Sequence, residues 1–149
     1  MITVQIIGAD KVQKVFARLP IELDHKLIGA ANYAAAKPLV EKEKLLAPEG
    51  PTGNLVDSIG ATRVAFKKAN QLGEVRVGPR RNGGYKGFAG HLVEFGTRPR
   101  RTRKGANRGI MPKKPFAEPA FRATKNQVEA LIQPNLSKST VRLIKKLLA

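Results

Sequence analysis

An acid-free run of eighteen residues, Thr97 to Lys114, sets the strongest limit on how this chain can fold. It holds eight cations (Arg98, Arg100, Arg101, Arg103, Lys104, Arg108, Lys113 and Lys114), two glycines and two prolines. Charged groups left without partners cannot enter an apolar interior. Any core must therefore be assembled from the segments on either side. Between Thr97 and Gly109 there is almost nothing apolar to bury, which predicts a mobile basic loop over 97–114.

The rest of the chain is dense enough to supply a core. Its 149 residues suit one ordinary domain, and at 42% apolar content the chain is not compositionally disordered. Aromatic residues make up only 5%, so Leu, Ile, Val and Ala must carry most of the packing. The absence of Cys excludes disulfides, thiolate metal sites and thiol catalysis. No apolar run reaches the length of a bilayer-spanning helix. The stretch Met1 to Gly8 lacks the basic start of a secretion signal, and Asp10 and Lys11 follow too soon. The expectation is a soluble, cytoplasmic, very basic domain. Its formal charge of +17 divides into +2 over residues 1–74 and +15 over residues 75–149. Such asymmetry points to an acidic partner: nucleic acid, an anionic membrane or an acidic protein.

Periodicity outlines the elements. Ile2 to Ile7 reads as a strand, and Asp10 as the cap of a helix carrying Val12, Val15, Phe16 and Leu19. After Pro20, the stripe Leu23, Leu27, Ala31 and Ala34 predicts a long helix reaching Leu45 or Leu46, with Pro38 kinking it or starting it anew. Pro48 to Gly53 is a turn cluster. Strands are predicted from Ile59 to Lys67 and from Leu72 to Val77, with Asn70 to Gly73 closing a hairpin. Gly78 to Gly87 is a glycine-rich loop bearing Arg80, Arg81 and Lys86. Phe88 to Phe95 suits strand or helix equally. Phe116 to Ile132 predicts a helix with Ala120, Ala123, Val128 and Leu131 inward, broken at Pro134. A basic amphipathic helix capped by Ser137 or Ser139, with Val141, Ile144, Leu147 and Leu148 on its apolar face, should close the chain. The fold class is α+β: one domain over 1–133, with a small, mostly antiparallel sheet on a long N-terminal helix and C-terminal helices, followed by the basic helix of 134–149.

Catalytic constellations are missing from this pattern. His91 and Glu94, three apart, could share a helical face, but zinc needs three or four converging ligands. A satisfied structural role is the better reading for both His91 and His25. Gly78 to Gly87 lacks the Lys-Ser/Thr pair of a phosphate-binding P-loop, since Gly84 and Tyr85 occupy those places. No serine sits in a nucleophile elbow. The sequence therefore predicts no enzyme, no metal and no cofactor. Candidate contacts to DNA or an acidic partner are Arg80, Arg81, Lys86, Arg98, Arg100, Arg101, Arg103, Lys104 and Arg108, because guanidinium forks pair bidentately with phosphate or carboxylate. The lack of interleaved aromatics argues against single-strand stacking.

Three short stretches, in order, resemble the tail-completion (head–tail joining, or neck) family of long-tailed bacteriophages. The first is Ala47-Pro48, then Thr52, Gly53, Leu55, Ser58 and Ile59. The second is Glu94-Phe95-Gly96-Thr97. The third is Pro115-Phe116 with Pro119-Ala120. The resemblance covers roughly residues 2–132. Ala117-Glu118 and the very basic stretch between the last two motifs depart from the family pattern. In physical terms, Thr52-Gly53 turns the chain out of the long helix, and Leu55 and Ile59 re-enter the core. Phe95 is expected to bury beside the turn at Gly96, with Phe116 as an anchor and Pro119 preset for a first helical turn.

The resemblance implies a non-enzymatic structural subunit of the virion neck, made in the host cytoplasm and assembling as a homo-oligomeric ring, a hexamer being favoured. Head-completion, tail-terminator or tail-tube proteins would be its neighbours and double-stranded DNA a partner in the lumen, with no membrane involved. The alternative that charge alone suggests is a stand-alone protein contacting the duplex backbone without sequence specificity.

Overall fold

A computed structural model describes residues 21–148, with side chains from His25 to Lys145. The strand predicted at Ile2–Ile7 and the helix predicted from Asp10 lie outside the described residues. Two helices come first, α1 (Ile21–Ala35) and α2 (Lys37–Leu46). Between them Ala36 is a turn residue, and Pro38 stands in the first turn of α2, where its missing N–H costs no helical bond. Of the two outcomes expected at this proline, a new helical start is the one observed. The turn at 50–53 ends with Gly53 at φ 62°, and the short helix α3 (Asn54–Ser58) leads directly into strand β1 (Ile59–Arg63).

β1 pairs antiparallel with β2 (Val75–Pro79), Ile59 opposite Pro79 and Arg63 opposite Val75. β1 is shorter than its predicted span because Phe66–Lys68 forms a 3₁₀ turn within the hairpin connection, and β2 is shifted, starting at Val75 and running through Gly78 and Pro79 of the stretch read as a loop. A two-stranded sheet is marginal by itself, and α1 supplies part of its support. Gly73 donates its N–H to His25 Nδ1 at 3.0 Å, and His25 Nε2 lies 2.8 Å from the Val64 carbonyl, which it reaches as a donor. Asn32 Nδ2 donates to the Gly73 carbonyl at 2.9 Å. Gly73 has φ 67°, and a side chain there would collide with Ile28. His25 is thus a satisfied structural histidine that clamps the hairpin to the helix.

A 3₁₀ turn (Gly87–Ala89) and the helix α4 (Gly90–Phe95) follow. The ambiguous stretch Phe88–Phe95 is therefore helical. The last described element is α5 (Ala117–Leu148), 32 residues long, against which both α1 and α2 pack. The longest helix is thus C-terminal rather than N-terminal, a correction to the sequence reading. The break expected at Pro134 is also absent. That proline removes one N–H and crowds the carbonyl of Ala130, yet both residues are exposed, so water can solvate the freed carbonyl. The inward seam continues past it through Ile132, Leu136, Thr140 and Ile144, leaving Val141 half exposed. Continuous packing on one face outweighs a defect on the other. Within the seam Thr124, not Ala123, is the buried residue, and its hydroxyl donates to the Ala120 carbonyl at 2.8 Å.

Ala47, Ile59, Val93 and Phe116 form the core, with Val40, Leu55, Val56, Met111 and Ala117 packed around them. Ala31, Ala35 and Ala120 are also fully buried, as close helix packing requires. The core cluster is assembled on both sides of the basic run, and Met111 within the run packs against it.

Candidate functional site

The three motif stretches meet around this core. Ser58, fully buried, donates its hydroxyl to the Leu55 carbonyl at 2.6 Å and closes α3, and Ile59 next to it is likewise fully buried. Glu94, on α4, reaches across to the start of α5. Its carboxylate accepts the N–H groups of Phe116 at 2.7 Å, Ala117 at 3.0 Å and Glu118 at 3.2 Å. Helix N-termini carry unpaired N–H donors and a partial positive charge, and a carboxylate answers both. Burial by itself would raise the Glu94 pKa, but the bonds from Ala117, Phe116 and Glu118 prevail and hold it below the usual carboxylate value. Glu94→Gln should cost about 1–2 kcal/mol, since an amide keeps one acceptor but loses the charge. Denaturant unfolding at pH 7 reads this out, and an unchanged midpoint would deny the cap its role.

Gly96 follows at φ 73°, where a Cβ would meet Lys113 N and Met111 O, both at 2.9 Å. Thr97 then pairs with Met111 twice: its N–H donates to the Met111 carbonyl at 3.0 Å, and its hydroxyl accepts the Met111 N–H at 2.9 Å. Glycine is required at this junction because two chain segments touch there. Phe95 is corrected. It is 79% exposed, whereas Phe116 is 1% exposed and is the anchor. Glu94 and Val93 both turn inward, and on a short helix that rotation directs the next side chain to solvent.

From this junction the basic run departs as a ribbon. Arg100 donates to the Gly109 carbonyl at 3.0 Å and accepts from Arg108 at 2.7 Å, so two residues oppose one in a bulge, with Gly109 at φ 70°. Arg101 bridges Asn107, and Thr102 donates to Ala106 at 2.9 Å across a turn containing Arg103, Lys104 and Gly105. Arg98, Arg100, Arg101, Arg103, Lys104 and Arg108 are all exposed. Ion pairs among the described residues join Arg76 to Glu74, Arg122 to Glu118 and Lys125 to Glu129, none of them in the ribbon.

The remaining candidates behave differently from one another. Arg81 and Lys86 are exposed. Arg80 is engaged within the chain: its Nε donates to the Ser58 carbonyl at 3.1 Å, and its guanidinium lies over the Tyr85 ring at 3.6 Å. It positions the glycine-rich loop instead of pointing outward. His91 is exposed, the neighbouring Glu94 is committed to α5, and among the described residues no three His, Cys, Asp or Glu side chains converge to hold a metal.

Two features escaped the sequence reading. Glu43, on α2, is only 4% exposed, and its Oε2 has no hydrogen-bond partner. Burial, with the Glu94 charge adding to it, pushes its pKa up to about 7. The alternation of Glu41, Lys42, Glu43 and Lys44 reads as a solvated helix face, and one turn of the helix in fact carries Glu43 inside. The second feature is a groove of about 480 Å³, lined by Leu55, Phe88, Val93, Met111 and Pro112, with Glu49, Lys86 and Lys114 also on its walls. No helix among the described residues is long and apolar enough to cross a membrane. Comparison with protein-family models, curated proteins and solved structures finds no match.

Proposed function

We propose that this chain is a structural component of a bacteriophage neck, completing the tail so that it joins a DNA-filled head, and that it works as an oligomer of identical subunits. The observation that carries the reading is the mutual bonding of the three motif stretches. Four-residue patterns arise by chance, but chance matches would not be expected to build one junction. Here Ala47 and Ile59 of the first stretch share a core cluster with Phe116 of the third, and the Glu94 carboxylate of the second holds the backbone of Phe116, Ala117 and Glu118. Surface composition supports the oligomer. Phe88, Phe95, Ile110 and Phe121 are more than half exposed, and the apolar groove beside Phe88 is open. Large exposed apolar side chains of this kind, with an open apolar groove beside one of them, suit contact between subunits.

The test is genetic and visual. A phage carrying a stop codon in this gene should yield filled heads and tails of normal length that fail to join, as seen by electron microscopy of the lysate. Supplying the gene in trans should restore joined particles. Intact infectious particles without the protein would overturn the assignment.

A further inference from the structure

We infer that the ribbon of residues 97–111 is a binding element for the phosphate backbone of duplex DNA, acting without sequence preference, whatever assembly the chain belongs to. Its geometry and its charge point the same way. The backbone groups that pair across the ribbon, at Thr97, Arg100 and Thr102, satisfy one another, so it holds a two-stranded shape, with Met111 at its base packed against the core. A two-stranded ribbon is an element that the major groove of B-form DNA admits. By strand alternation Arg98 and Arg100 share one face, Arg101 lies on the other, and Arg103 and Lys104 occupy the tip. Charge on both faces and at the tip suits a site walled by phosphates on two sides, not a single flat surface.

Two further observations separate DNA from an acidic protein and from specific readout. Protein interfaces are anchored by aromatic or large apolar side chains. One large apolar side chain, Ile110, is exposed at the ribbon's base, but from Thr97 to Gly109, where the ribbon's cations lie, the least polar residues are Pro99 and Ala106. The uncharged polar side chains of the ribbon are engaged as acceptors within it, which leaves the cations as its outward groups. Thr97 Oγ1 accepts from Met111, Thr102 Oγ1 from Ala106 at 3.0 Å, and Asn107 Oδ1 from Gly109 at 2.9 Å. What faces outward is guanidinium and ammonium, and the nearest carboxylate in sequence, Glu94, is already held by α5. Arg81, Lys86, Lys113 and Lys114 add charge on neighbouring segments, all of them exposed.

The test uses the purified full-length protein and fluorescein-labelled 25-base-pair duplexes of two unrelated sequences, followed by anisotropy across a salt series. The variant replaces Arg98, Arg100, Arg101 and Arg103 by Ser. A control replaces Lys67, Lys68, Lys138 and Arg142 by Ser, removing the same charge from exposed positions elsewhere. Wild type should bind both duplexes equally. The ribbon variant should lose up to about 3.6 from the slope of log K against log salt, at about 0.9 for each phosphate contact. Between 50 and 200 mM salt that amounts to a wild-type loss of affinity about 100-fold larger than the variant's. The control should keep most of the wild-type slope, and thermal unfolding should show all three proteins folded. Equal losses in control and variant would overturn the proposal, since net charge alone would then explain binding. So would single-stranded DNA binding as tightly as duplex, or a polyglutamate competitor binding while duplex does not.

Discussion

Replacing Phe116 by alanine should destabilise the protein by about 3–5 kcal/mol, the range for removing a fully buried aromatic ring. The same change at Phe95 should cost no more than about 0.5 kcal/mol, as surface substitutions do. The two phenylalanines belong to neighbouring motifs and look equivalent as residues, yet their exposures are 1% and 79%. Phe116 packs against Ile59 and Val93 at the point where α5 begins, so its loss opens a cavity and loosens the helix start that Glu94 caps. For a chain of this size the midpoint of thermal unfolding should fall by roughly 10–15 °C for Phe116→Ala and hardly move for Phe95→Ala. Equal shifts for both variants would mean that the core has been placed wrongly. If Phe95 instead serves contact between subunits, its substitution should leave the monomer intact and weaken association.

Stability should also fall as pH rises from about 4.5 to about 7, and Glu43 is the reason. Its folded-state pKa stands near 7 against an ordinary 4.5, raised by burial and by the Glu94 charge. Below 4.5 the carboxyl is protonated whether the chain is folded or not, and it adds no pH dependence. Between the two values the folded state holds a proton that the unfolded chain has released, so stability drops with each step in pH. Above 7 the penalty is complete and constant, at about 3 kcal/mol. Glu43→Gln should therefore gain about that much on wild type between pH 4.5 and pH 8, measured by urea unfolding at both. Glu94 acts with the opposite sign. Its lowered pKa gives stability that is present above the unfolded value and lost as pH falls through the folded one. Because its charge helps raise Glu43, Glu94→Gln should also flatten the Glu43 dependence, a coupling that the double variant isolates. Parallel pH curves for wild type and Glu43→Gln would refute the assignment.

Local rules, acting through nearest neighbours, determined much of this protein from its sequence. The turn at Thr52-Gly53, an interruption of the helix at Pro38, the antiparallel hairpin and the exposure of the basic run all follow from backbone restriction or the cost of burying charge. Tertiary structure decided what depends on a partner far away in the chain. Pro134 does not end α5, because the packed seam on the opposite face continues across it. Phe95 points outward because Glu94 and Val93 are drawn inward by the start of α5 and by the core. Arg80, counted by its charge among the outward contacts, is taken by the Ser58 carbonyl and the Tyr85 ring. Glu43, hidden in an alternation that reads as solvated, is buried by the helices packed around it. In each case a single residue's preference of one to a few kcal/mol is set against contacts made with distant segments, and the larger sum prevails.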